Sequence, residues 1–183
     1  MGKQFAALTD DHTGFIADQK LFFVGSAAET GKVNISPKGG DCLRIKGPNR
    51  IIWRNLTGSG NETAGHLTRV NRMTLMWCGF ETRPIILRCY GTAHTYHFRD
   101  PEFAVLNAEF PDDIGARQIY DMTVDMVQTS CGYAVPFFDY KEDRKVLESW
   151  SGKKDRDGID TYWQERNGQT LDGFATGVTD DHS

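Results

Sequence analysis

The chain has 183 residues, a mass of 20.6 kDa, 39% hydrophobic and 25% charged residues, and a formal net charge of -4. That length suits one self-sufficient domain, and the acidic balance, with pI near 5.7, disfavours a general electrostatic grip on nucleic acid or on an anionic membrane. Four cysteines without CxxC or Cys/His spacing read as reduced structural thiols, and no apolar run approaches the ~20 residues of a membrane span, so a cytoplasmic protein with no metal is expected.

In chain order, Thr13 to Gln19 forms a short helix and Leu21 to Val24 a buried strand. Lys32 to Lys38 alternates strictly, with Asn34, Ser36 and Lys38 on one side of a strand and Val33, Ile35 and Pro37 on the other. Leu43 to Lys46 and Arg50 to Leu56 flank the turn Gly47-Pro48-Asn49, and Met73 to Phe80 and Ile85 to Phe98 flank Glu81 to Pro84, so both pairs are hairpins. Asp100-Pro101 opens a helix through Leu106. Tyr120, Met122, Val124 and Met126 alternate with polar residues as a half-buried strand, whose apolar face continues into the polar Gln128 and Ser130. Asp139 with Glu142 reads as a cap and its reciprocal partner, and Ile159, Tyr162 and Trp163 repeat at helical spacing. Short antiparallel strands with peripheral helices point to a mainly β (α+β) closed barrel rather than a doubly wound sheet. The chain reads as a single domain over 1–183, with an N-terminal helical segment over 1–20 and a C-terminal helical extension over 139–183.

The segment from Leu56 to Leu67, LTGSGNETAGHL, matches neither GxGxxG nor GxxxxGK[ST]. Ser59 and Glu62 have capping-box spacing, and Asn61 is an alternative cap, so a helix begins here beside two glycines. Either it is a glycine-rich connection with a well-made cap, or its free amides receive a phosphate, with Lys38 supplying charge. Taken alone, Asn34, Ser36 and Lys38 read more simply as a solvated strand face. His94 and His97, three apart on a strand, fall on opposite faces and do not share a metal. His66, in the first turns of the helix, reads as a packing or surface residue, with contact to a ligand as the alternative. No nucleophile, zinc or calcium signature is present and no catalytic residue is assigned; if the chain is an enzyme, a cofactor carries the reaction.

Six segments, LFFVGSA (21–27), KVNISPKG (32–39), LTGSGNETAGHL (56–67), RMTLMWCGF (72–80), RPIILRCYG (83–91) and VQTSCGYAVP (127–136), resemble in order and spacing the pyridoxamine 5'-phosphate oxidase-like flavin-binding split-barrel proteins. The likeness covers most of residues 10–175 and is nearest a subgroup of uncertain substrate. It implies a six-stranded antiparallel split β-barrel, a homodimer with cofactor clefts at the subunit interface, FMN as cofactor, and hydride exchange between flavin and a small-molecule substrate or reduced nicotinamide. A flavin carrier or sensor without turnover is the alternative. By motif, Asn34, Ile35, Ser36 and Lys38 lie beside the ring and ribityl chain. Lys38 reaches the phosphate, Leu56 and Thr57 present backbone, Ser59, Asn61 and Thr63 form the phosphate turn, and Gln128 and Ser130 meet the flavin from the partner. The oxidase proper has an Arg-Lys pair where this chain has Glu62-Thr63, and its basic C-terminal grip on pyridoxamine phosphate has no counterpart here, so that substrate is not carried over.

Overall fold

In the computed structural model, residues 2–81 and 83–180 are described. Thr82 of the second expected hairpin turn, and the last three residues of the expected C-terminal extension, lie outside them. The elements are β1 (Lys3–Phe5), α1 (Asp10–Asp18), β2 (Leu21–Ser26), β3 (Asn34–Gly39), β4 (Leu43–Gly47), β5 (Arg50–Leu56), α2 (Glu62–Arg69), β6 (Met73–Cys78), β7 (Ile85–His97), α3 (Pro101–Asn107), β8 (Ala116–Cys131), α4 (Val146–Ser151) and α5 (Arg156–Arg166). Seven strands follow one antiparallel path, β3-β2-β6-β7-β8-β5-β4, and β1 pairs separately with β8. The expected six-stranded barrel is therefore one strand short of the main path. The path begins at β3 and ends at β4, consecutive strands joined by a turn at Gly40 yet not paired with each other, and this gap is the split.

Apolar residues from the inner faces of β2, β5, β6, β7 and β8 meet in one core: Val24, Trp53, Leu75, Leu87, Tyr120, Met122 and Val127 are all buried in it. α1 covers one end of the barrel with Phe15 and Ile16. It starts earlier than the sequence periodicity indicates because Thr9 and His12 form a reciprocal capping box. On the outer face, α3 packs Phe103 against Ile52 and Ile119. Its expected cap is used differently, since Asp100 Oδ2 accepts from the His97 amide at 2.6 Å. Residues 136–145 form no regular element, so the cap expected at Asp139 is absent and the C-terminal helices are limited to α4 and α5. Pro136 and a run of exposed side chains leave that stretch without an apolar face to fold a helix against.

β8 is the longest strand and carries two bulges. Between its pairings with Asn55 and Leu56 the register skips Arg117, and between its pairings with Tyr90 and Gly91 it skips Asp125. One extra residue reverses which face the following side chains occupy. Beyond Asp125 it is Val127 that enters the core, while Gln128 and Ser130 turn outward and bond Tyr90 and Arg88. The expectation that Gln128 and Ser130 continue the apolar face of Tyr120, Met122 and Val124 fails for that reason.

The bulge at Asp125 brings Gly91 against the β8 backbone, where an added Cβ would run into the Thr123 carbonyl oxygen. Gly91→Ala should cost roughly 3 kcal/mol or more in urea-unfolding free energy, because neither backbone can yield. Gly25→Ala, whose Cβ would find only ordinary contacts near Thr74, should be tolerated within about 1 kcal/mol.

Candidate functional site

The site is built around the loop from Thr57 to Asn61 that joins β5 to α2. Thr57 is fixed by its own amide and hydroxyl, both donating to Gly115 O, and by the Trp163 indole, which donates to Thr57 Oγ1 at 2.8 Å. It therefore ties the loop to α5 and presents no free side chain to a ligand. Asn167, the C-cap of α5, donates to Gly58 O at 3.0 Å, and Arg117 Nη2 donates to Gly60 O at 3.1 Å. In a planar trans peptide the N–H opposes the carbonyl. Holding those two carbonyls inward therefore aims the amides of Ser59 and Asn61 away from the protein interior.

Behind the loop lies a buried polar network. Arg117 Nη1 donates to Asn167 Oδ1 at 2.6 Å and Arg117 Nε to Gln118 Oε1 at 3.0 Å. Gln118 Nε2 donates to Asn61 Oδ1, Asn55 Nδ2 to Gln118 Oε1, and Lys38 Nζ to Asn55 Oδ1 at 3.1 Å. Arg117 is only 2% exposed, and every acceptor it meets is neutral. Burial holds the Arg117 guanidinium down at about 10 and, with Arg117 adding to it, holds the Lys38 ammonium down at about 8. Two cations thus lie inside the protein, Arg117 behind the loop before α2 and Lys38 further off beside Asn55 and Trp53, with neither in an ion pair among the described residues.

The start of α2 has no side-chain cap. Asn61 is buried and its side chain joins the network, donating also to Asn167 O. Glu62 reaches to the C-terminal segment, where its carboxylate accepts from the Leu171 amide at 3.1 Å. The capping box expected from Ser59 and Glu62 is not made, and Ser59 is exposed. A cleft of about 550 Å³ opens here, walled by Ser59, Gly60, Glu62, Asn34, Lys32 and Arg166 among others.

The polar side of β3 faces inward and its apolar side outward, with Val33 71% and Ile35 68% exposed. Asn34 Nδ2 donates to Ser26 Oγ and Thr63 Oγ1, Ser36 Oγ donates to Asn34 Oδ1, and Ser26 Oγ lies 3.1 Å from His66 Nδ1. The other ring nitrogen, His66 Nε2, is buried with no partner. Asn34, Ser36, Ser59, Asn61 and Thr63 are therefore gathered around the α2 start. Leu56 lies half-buried against the α3 cluster. Lys38 departs from its expected place, since its ammonium is spent on Asn55 and stands 5.5 Å from the Trp53 ring inside the barrel rather than at the α2 amides. Gln128 and Ser130 lie on the outer face described above.

Asn55, Arg117, Gln118 and Asn167 belong to no motif or periodic pattern of the sequence that marks them as functional. A weaker signal is present for Asn55, a polar residue inside the otherwise apolar strand IIWRNL. Arg117 depends on a bulge, which periodicity does not reveal.

No protein-family model matches the chain. A curated relative, the pyridoxamine 5'-phosphate oxidase family protein ustO of Aspergillus flavus, is 34% identical over 149 residues, covering 79% of this chain and 60% of the relative. A solved candidate pyridoxamine 5'-phosphate oxidase from Lactobacillus delbrueckii superposes with TM-score 0.56 at 15% identity, over 67% of this chain and 94% of that one. A Clostridium acetobutylicum protein related to general stress protein 26, of the pyridoxinephosphate oxidase family, gives TM-score 0.50 at 17% identity, over 66% and 86%. The chain belongs to the pyridoxamine 5'-phosphate oxidase-like family. Its likeness to the solved structures shows the split-barrel fold, and it spans about three-fifths of the ustO relative's length. No metal cluster is formed, and no helix is long and apolar enough to cross a membrane, among the described residues of this split-barrel protein.

Lys38 gives the network a pH signature. Its folded-state pKa of about 8 lies below the ordinary 10.5, so between those values the unfolded chain binds more protons and the native state gains stability as pH rises. Compared with Lys38→Met, the wild type should gain about 2 kcal/mol in unfolding free energy from pH 8 to 10.5. Denaturant titrations of both proteins across that range check it, and parallel pH curves would contradict it.

Proposed function

We propose that the chain binds flavin mononucleotide, with the phosphate at the α2 start, and acts as an FMN-dependent oxidoreductase on a small organic substrate or a reduced nicotinamide. One observation carries the proposal: an uncapped helix start with outward amides stands in front of the buried Arg117 guanidinium, which has no carboxylate partner among the described residues. Such a place gains from an arriving anion, through charge-assisted hydrogen bonds and the helix dipole. The donor set fits a phosphate. Ser59 and the first amides of α2 would hold its oxygens, Lys32 and Arg166 would screen it from the rim, and Arg117 would raise the potential from behind without touching it.

When bound, the flavin supplies hydride transfer at its N5. The chain's own part is placement. The Asn34–Ser26–Thr63 group offers fixed donors and acceptors beside the phosphate position, and β3 holds them in register through its pairing with β2. No acid–base pair is recognisable at the cleft, in keeping with chemistry carried by a cofactor.

We also propose that the protein works as a homodimer whose clefts are completed by a second copy. Ile35 on β3 and Val33 just before it expose an apolar strip next to a groove of about 650 Å³ across β2, β6 and β7. A strip of that kind on an edge strand invites cover. Gln128 and Ser130, on the same outer face of the sheet, would meet the partner.

The test is the purified full chain. Mass spectrometry after mild denaturation should release FMN, and anaerobic NADH or NADPH should bleach the bound flavin. FMN that binds but is reduced by neither nicotinamide would favour a carrier over an enzyme, and protein that refuses saturating FMN would overturn the proposal. Glu62→Gln keeps an acceptor for Leu171 while removing a negative charge beside the phosphate, so it should tighten FMN by roughly fivefold, about 1 kcal/mol. Flavin fluorescence titration reads this directly.

A further inference from the structure

Lys38 takes no part in the flavin site proposed above, and its surroundings form a second one. Between α1 and the ends of β2, β3 and β4 lies a pocket of about 360 Å³, within the range of small-molecule sites. Its walls are mainly apolar, with Ile16 from α1, Phe22 from β2, Leu43 and Ile45 from β4 and Trp77 from β6. Among the charged lining residues, Asp41 and Arg44 pair with each other, which leaves Lys38 in the wall and Lys20 at the rim without a carboxylate partner among the described residues. An apolar pocket with one ammonium in its wall and a second, exposed one at its rim selects a ligand of matching design. A fully apolar molecule leaves the cation uncompensated, and a highly hydrated anion loses its water against Ile16 and Phe22.

We propose that this pocket binds a small organic carboxylate with an apolar body, its carboxylate at Lys38 and its hydrocarbon among Ile16, Phe22, Leu43 and Trp77. The site does not depend on flavin, because the α2 cleft is lined by other residues. The groups around the ammonium are Asn55 from β5, which accepts its hydrogen bond, Trp53 beside it, Arg117 from β8, and Cys42 from the β3–β4 turn. Beyond Cys42 stand Asp41, Arg44 and Arg54. Burial pushes the Cys42 thiol up to about 11, so it stays neutral in the working range, while burial and Arg117 ease the proton off Lys38 from about pH 8. Carboxylate affinity therefore falls as pH rises through the titration of Lys38, a titration that the bound anion itself moves upward.

The experiment is calorimetric titration of the full chain with octanoate and, separately, with n-octanol. At pH 7 octanoate should bind at least tenfold tighter than octanol. Lys38→Met should bring octanoate down to the level of octanol and leave octanol unchanged, which also shows that the variant keeps its pocket. Lys38→Arg should keep octanoate and hold it at pH 9.5, where the wild type has weakened. Octanoate bound equally by wild type and Lys38→Met, no saturable binding of octanoate, or displacement of octanoate by FMN would each overturn the site. A colourless protein that refuses FMN yet binds octanoate in this pattern would uphold it while removing the flavin proposal.

Discussion

Arg117 is placed where a guanidinium is expensive, inside the protein and with only amide and carbonyl oxygens around it. Its hydrogen bonds meet three parts of the chain: Gln118 beside it on β8, the Gly60 carbonyl of the loop before α2, and Asn167 at the end of α5. Because Gln118 and Asn167 are also bonded elsewhere, moving either would strand a buried donor, and the geometry of the loop follows from that constraint. The loop carbonyls face the cation and the loop amides face the cleft. An uncapped helix start that would otherwise be a defect becomes a position with an open demand for negative charge.

The same strand that supplies Arg117 decides what lies on the other face of the sheet. Without a bulge, neighbouring residues of a strand point to opposite sides. The extra residue at Arg117 lets it and Gln118 both join the interior network, and the extra residue at Asp125 turns Gln128 and Ser130 outward. One sixteen-residue strand therefore shapes both the anion-seeking loop and the outer surface that a second copy would cover. The C-terminal segment completes the loop from the far side, with Asn167 and Trp163 bonded to it and Leu171 holding the carboxylate of Glu62.

Much of the fold was legible because it rests on local signals. The hairpin at Gly47-Pro48-Asn49, the strict alternation of β3 and the Asp100-Pro101 helix start all follow from turn chemistry and period. The inversion of β3, with Asn34 and Ser36 inward and Ile35 outward, was not legible, since alternation defines two faces without saying which is buried. Bulges are equally silent in a pattern, which is why alternation alone puts Gln128 and Ser130 on the wrong face and gives no sign of Arg117. The helix expected after Asp139 shows the limit of capping signals, which start a helix only where an apolar face can be packed. At the site, the importance of the α2 start was visible in its glycines, whereas the source of its charge was not. Both its strand position and the family motif point Lys38 at the phosphate, while its ammonium is drawn to Asn55 inside the barrel.

The claim that the α2 start is tuned for an anion is tested most directly by comparing FMN with riboflavin, which differ by the phosphate alone, in equilibrium titrations at two ionic strengths. Hydrogen bonds from the helix amides and the field of the buried Arg117 guanidinium predict FMN to bind roughly a hundredfold tighter, with the gap narrowing as salt rises. Equal affinities for the two, unmoved by salt, would contradict the account.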